Sequence, residues 1–117
     1  MDMEMDRTGP HGAHFFTAEI KYELALRAIF KHNDAQPDNR TRWYIDNFLL
    51  WDVTDCHEGN VRDWFQRVRP EIDAHHEKHG LVPTHNDLPN KTKSIVRCID
   101  FPEVVLPEWR RRRRRRR

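Results

Sequence analysis

The chain has no long apolar run, few glycines and few cysteines. Nowhere in its 117 residues does a stretch approach the ~20 apolar positions of a membrane-spanning helix, so no span is expected. Four glycines leave no Gly-rich loop to cradle a phosphate, and no His-Glu-x-x-His pattern occurs. Cys56 and Cys98 are the only cysteines. Met1 to Asp6 is acidic rather than apolar, which argues against a secretion signal and for a reducing compartment without a disulfide. By the same argument the sequons at Asn39 and Asn90 are incidental. Catalysis is not expected. Cys56 and His57 are adjacent in sequence, which rarely gives a nucleophile and base the right geometry.

Apolar residues are also scarce, at 37%, against 34% charged, with a mean hydropathy of −0.98. Aromatic residues are not: there are four Trp, six Phe and two Tyr. Disordered chains are poor in aromatics, so an aromatic core with frayed ends is expected. Its size allows one small domain of marginal stability.

The charge is unevenly placed. Eight of the 21 basic residues are the last eight, so residues 1–109 carry 13 basic against 19 acidic residues, a net −6. The run Arg110, Arg111, Arg112, Arg113, Arg114, Arg115, Arg116 and Arg117 brings the total to +2. Eight permanent charges on about 27 Å of extended chain repel one another and call for a polyanion or salt. Nucleic-acid binding or nuclear import is the function this run suggests first. A solvated terminus without a role is the bland alternative.

Along the chain, residues 1–16 read as a loose lead-in containing Gly9, Pro10 and Gly12. Residues 17–80 read as a helical domain. Thr17 caps a first helix with Ile20, Leu24 and either Ala28 or Phe30 on its apolar side, ending near Lys31 because Asn33-Asp34 are breakers. A second, nearly all-apolar helix starts at Asp38 or Asn39 and runs through Trp43, Tyr44, Phe48 and Trp51 to Val53. Asn60 caps a third, with Val61, Trp64, Phe65, Val68 and Ile72 in one stripe. Pro70 predicts a kink or a break at Arg69 that opens a short fourth helix, stopped at Gly80. Residues 81–109 read as an irregular, extended arm, with two short strands as an option at Ser94–Ile99 and Glu103–Leu106. The expected fold is mainly α: three or four short helices with an extended C-terminal arm.

Three clusters are candidates for function. His75 and His79 stand at i and i+4 on one helix face, and with Cys56 and His57 they offer thiolate and imidazole ligands suited to zinc. That spacing is no standard finger, and a solvated helix end with dipole-assisting histidines is the simpler reading. Trp43, Trp51, Trp64 and Trp109 exceed what a small core needs. Trp64 and one of the second-helix pair suit the core, and the remainder suit a protein-contact surface or, for Trp109, stacking on a base. The third cluster is a loose helix-turn-helix offering Arg62, Gln66 and Arg69 to a groove, disfavoured by the acidic body.

The pattern Trp43-Tyr44-x-x-x-Phe48-x-x-Trp51, followed by Asp55-Cys56, Trp64 and Arg67, resembles the end of the small non-structural nuclear phosphoprotein of bocaparvoviruses and aveparvoviruses. The similarity covers about residues 30–68. Gly59 stands where that family has a second Cys. The resemblance implies a nuclear accessory protein of a small DNA virus, without catalytic chemistry, that helps genome replication and RNA processing. It carries over Cys56, Trp51 and Trp64 as structural or interaction positions. The expected function is therefore a non-enzymatic nuclear regulatory protein touching nucleic acid and import receptors through its arginines. The alternatives are an interaction or inhibitor module acting through its acidic aromatic body, and a small zinc-dependent nucleic-acid module.

Overall fold

Five α-helices and three 3₁₀ turns follow one another in a computed structural model that describes residues 18–55, 60–91 and 93–115. They are α1 (Ala18–Ala35), α2 (Asn47–Thr54), α3 (Asn60–His79), α4 (Ile95–Cys98) and α5 (Glu108–Arg115). The 3₁₀ turns are Pro83–Asp87, Pro89–Lys91 and Glu103–Val105. The mainly helical expectation holds, and no strand occurs among the described residues. Residues 1–16 and Thr17 lie outside them.

α1 and α3 form the frame and run parallel. Glu19 pairs with Arg67 at 2.9 Å, Arg27 with Glu71, and Asp34 with Lys78 at 3.0 Å, so both partners advance together. These pairs are exposed and set register more than stability. Between the helices lies an apolar seam in which Tyr22 and Trp64 meet at 5.5 Å.

The buried face of α1 differs from the one expected. Tyr22, Ala25, Leu26 and Ile29 are fully buried, whereas Ile20 is exposed and Leu24, Ala28 and Phe30 are only partly covered. Tyr22 fixes the phase of this stripe at i, i+3, i+4 and i+7. Asn33, eleven positions on, continues it. The helix therefore does not stop near Lys31 but carries Asn33 into the core, where its side chain has partners that outweigh its turn preference.

The second helix is half the length expected. Asp46 caps it, accepting from Leu49 N at 3.0 Å, and residues 42–46 before it are extended. Its C-terminus closes at Asp55, left-handed at φ 57°. α3, in contrast, is one helix through Pro70, where a kink or a break was expected. Pro70 cannot donate to the Gln66 carbonyl, but both residues are exposed, so water can replace the missing bond.

The segment beyond residue 80 is a series of short helical turns rather than an extended arm, and it is part of the core. Leu81, Ile95, Ile99, Phe101, Val105 and Leu106 are all buried. α4 packs on α2, and the 3₁₀ turn at Glu103–Val105 packs on α1. The two optional strands are helical turns instead, because Ser94 caps α4 and Pro102 opens the next turn.

α3 ends as its sequence indicates. Gly80, at φ 66°, donates to Glu77 O at 3.2 Å while Leu81 donates to His76 O at 2.8 Å, the paired bonds of a Schellman motif. A Cβ at Gly80 would meet nothing within 4 Å, so only backbone strain opposes a side chain. Gly80→Ala should cost about 1 kcal/mol in denaturant unfolding, and Gly80→Asn clearly less.

Candidate functional site

The extended segment 42–46 has no neighbouring strand among the described residues, yet six of its backbone polar groups find side-chain partners. Side chains from three directions take the place of a sheet. Asn33 acts from α1: its Oδ1 accepts from Trp43 N at 2.9 Å, and its Nδ2 donates to Trp43 O at 3.0 Å. Asn86 does the same for the next residue, accepting from Tyr44 N and donating to Tyr44 O, both at 2.8 Å. His76 Nε2 accepts from Ile45 N at 2.9 Å. Lys91 Nζ donates to Arg42 O, and also to His85 O at 2.8 Å and Asn39 O at 3.2 Å.

Lys91 is thus a buried ammonium held by three carbonyls. Its Nζ stands 5.3 Å from the Trp43 ring centroid. Burial lowers its pKa below the usual lysine value. An open cleft of about 390 Å³ lies beside it, lined by His32, Gln36, Thr41, Trp43, Lys91 and Cys98. The three N–H bonds of Lys91 are already engaged, so the ammonium acts there as a structural staple.

Arg42 secures the turn before the segment. Its guanidinium donates to Asn33 O at 2.9 Å, Gln36 O at 2.6 Å and Asn39 Oδ1 at 3.0 Å, collecting carbonyls at the end of α1. Asn39 Nδ2 in turn donates to His79 O at 2.8 Å, at the end of α3.

The α3 histidines are not the solvated helix end that the sequence allowed. His75 and His76 extend the stripe of Trp64, Phe65, Val68 and Ile72, and both are buried. His75 stacks on Phe30 at 4.2 Å, and His76 on Tyr44 at 4.0 Å. Burial lowers the pKa of His75 to about 4 and pushes His76 down as well, so both rings are neutral.

Of the expected metal ligands, the fold brings His75 and His79 together and adds Asp34, with ligand atoms within 4.8 Å of one another. Cys56 and His57 lie outside the described residues. His79 Nε2 donates to Asp34 Oδ1 at 2.8 Å, which lowers the Asp34 pKa. The Asn33 amide is oriented by its two bonds to Trp43, so its Nδ2–H faces His75 Nε2 at 3.0 Å. That bond uses the Nε2 lone pair and leaves the proton on Nδ1. An ion on His75 would have to displace Asn33 from the segment it holds. Within the trio His79 and Asp34 bond to each other, while His75 bonds to Asn33 instead.

The tryptophans divide. Trp43 and Trp64 are core, the division expected for Trp64 and one of the second-helix pair, and Trp51 is half-buried. Trp109 is 46% exposed. Phe48, which the sequence did not single out as a contact residue, is 71% exposed and meets Trp51 edge-on at 5.2 Å. It lies on the solvent side of a helix that reads as apolar all round.

The arginine run forms most of α5. Its root is fastened to the acidic end of α2: Arg110 pairs with Asp52 at 3.2 Å, and Trp109 Nε1 donates to Asp55 Oδ2 at 3.4 Å. Ser94 Oγ donates to the other Asp52 oxygen at 3.0 Å. The Arg110 guanidinium lies 4.4 Å from the Trp109 ring centroid. Arg116 and Arg117 lie outside the described residues. Among the described residues, no helix is long and apolar enough to cross a membrane.

No protein-family model, no curated protein and no solved structure matches this chain.

Asn33 is the residue whose loss should be felt most. Asn33→Ala leaves the buried Trp43 N–H and C=O without partners and should cost about 3 kcal/mol in equilibrium unfolding.

Proposed function

We propose that this chain is a non-enzymatic nuclear accessory protein that binds nucleic acid, without base preference, through an arginine helix mounted on an acidic body. The observation that carries the reading is the junction at Trp109–Arg110. The arginines are not a loose appendage there but continue a helix whose first turn is fastened to Asp52 and Asp55. Arginines on successive positions of a helix point around its whole circumference, which suits phosphate contacts and provides no face for reading bases. The partly exposed Trp109 ring beside them offers a stacking surface for a base. The same basic run suits an import receptor, which puts the protein in the nucleus.

The spacing of Trp43, Trp51, Asp55, Cys56, Trp64 and Arg67 supports the more specific version. In that reading the protein assists genome replication and RNA processing of a small DNA virus. A protein partner is part of the same proposal, with the exposed Phe48 beside Trp51 as its docking point.

Removing residues 110–117 should abolish both nucleic-acid binding and nuclear accumulation; persistence of both would overturn the reading. With the full chain, log K against log salt on duplex DNA should have a slope of about −5 to −7, as six to eight arginines neutralise phosphates. A slope near zero is the contrary result. Replacing Asp52 and Asp55 by Asn frees the helix root and removes two nearby negative charges. Low-salt affinity should then rise by about two- to five-fold in fluorescence anisotropy, and the gain should vanish at high salt.

A further inference from the structure

Two of the contacts that hold segment 42–46 end on histidine lone pairs. Ile45 N–H donates to His76 Nε2 at 2.9 Å. Asn33 Nδ2, whose amide carries both Trp43 bonds, donates to His75 Nε2 at 3.0 Å. A second proton on either ring removes the acceptor and sets an N–H against an N–H. We propose that His75 and His76 form a proton-operated latch on residues 42–46, which acidification opens while the α1–α3 pair stays folded.

The surroundings of the two rings decide the direction. Next to His75, Asp34 on α1 favours the cation, while His79, Lys78 and His76 on α3 oppose it. Near His76, Asp73 favours the cation and Arg69 opposes it, both on α3. The stacked faces of Phe30 and Tyr44 attract a cation but provide no hydrogen-bond acceptor in place of the lost one. Burial outweighs the carboxylates and keeps both rings neutral. The ordinary histidine value is about 6.5, so a released ring takes up a proton at a pH where the latched ring does not. Stability of the latch is thus complete above about pH 6.5 and is lost as pH falls toward 4, the value to which His75 is lowered. The opening equilibrium should rise by about ten-fold per pH unit for each histidine, up to about 100-fold where both respond.

The frame outlasts this window. Arg27 lowers the pKa of Glu71, so the ion pair between α1 and α3 persists as the histidines charge. Opening is therefore local, exposing Trp43 and Ile45.

The test is amide hydrogen exchange on the full chain from pH 7.5 to 4, read as protection factors at Trp43 and Ile45. Total tryptophan fluorescence and far-UV circular dichroism are followed in parallel. Protection at these two amides should fall steeply below pH 6.5, while helix content and protection in the middle of α1 remain. Helix content lost in the same step, or protection that is flat across the range, overturns the proposal. In the double variant H75Q/H76Q each side chain keeps an acceptor but cannot titrate, so protection should become pH-insensitive. An unchanged pH profile there also overturns it. Should that variant not fold, nitrogen chemical shifts of wild-type His75 and His76 at pH 7.5 give an independent reading. Bare Nε2 on both rings supports the latch, and a protonated Nε2 on either one overturns it.

Discussion

Everything in this fold is arranged around one unpartnered stretch of extended backbone. A strand outside a sheet leaves its N–H and C=O groups without partners, and burying them unpaired costs more than most single contacts return. Here Trp43 and Ile45 bury their side chains, which commits the backbone between them to a dry site. Asn33, Asn86, His76 and Lys91 replace the missing neighbours. They come from three different parts of the chain, so the segment forms only when α1, α3 and the irregular region after residue 80 are all in position. It serves as the joint at which three parts of a small domain meet. A domain with a modest apolar core thereby gains definition from polar bonds that have few alternative partners.

The charge distribution is organised by a second, weaker joint. The body is acidic, and its acidic groups are mostly spent on neighbours: Glu19 on Arg67, Glu71 on Arg27, Asp34 on Lys78 and His79. Asp52 and Asp55 differ in meeting the C-terminal helix. They hold Arg110 and Trp109 at its root.

Much of the fold is legible in the sequence, for identifiable reasons. The α3 stripe and the Gly80 stop are local signals, and both hold. The phase of α1 is set by Tyr22, whose ring takes the buried face in place of Ile20 and Leu24. Asn33 is a breaker on local preference alone. Its role depends on a residue ten positions away in a segment that itself looked helical. The aromatic density of 43–51 is equally compatible with a helix and with a buried extended stretch entering one, and only the partners for its backbone decide between them. His75 and His76 did carry a usable signal, since they continue the apolar stripe three and four positions after Ile72. Their proximity to one another invited a metal instead. Asn86 and Lys91 gave no sign at all, being polar residues in an irregular region.

The parallel course of α1 and α3 has a consequence for how the chain reaches its fold. Neighbouring antiparallel helices can zip up from a short connecting loop. In a parallel pair the first contact already closes a loop of the whole helix plus the crossover: Glu19 meets Arg67, and Arg27 meets Glu71, 44 positions apart. Chain entropy has to be given up before any of those contacts stabilises the product. For a protein so rich in helix, folding should therefore be slow, with the crossover containing Trp43 closing in the same step that brings the two long helices side by side.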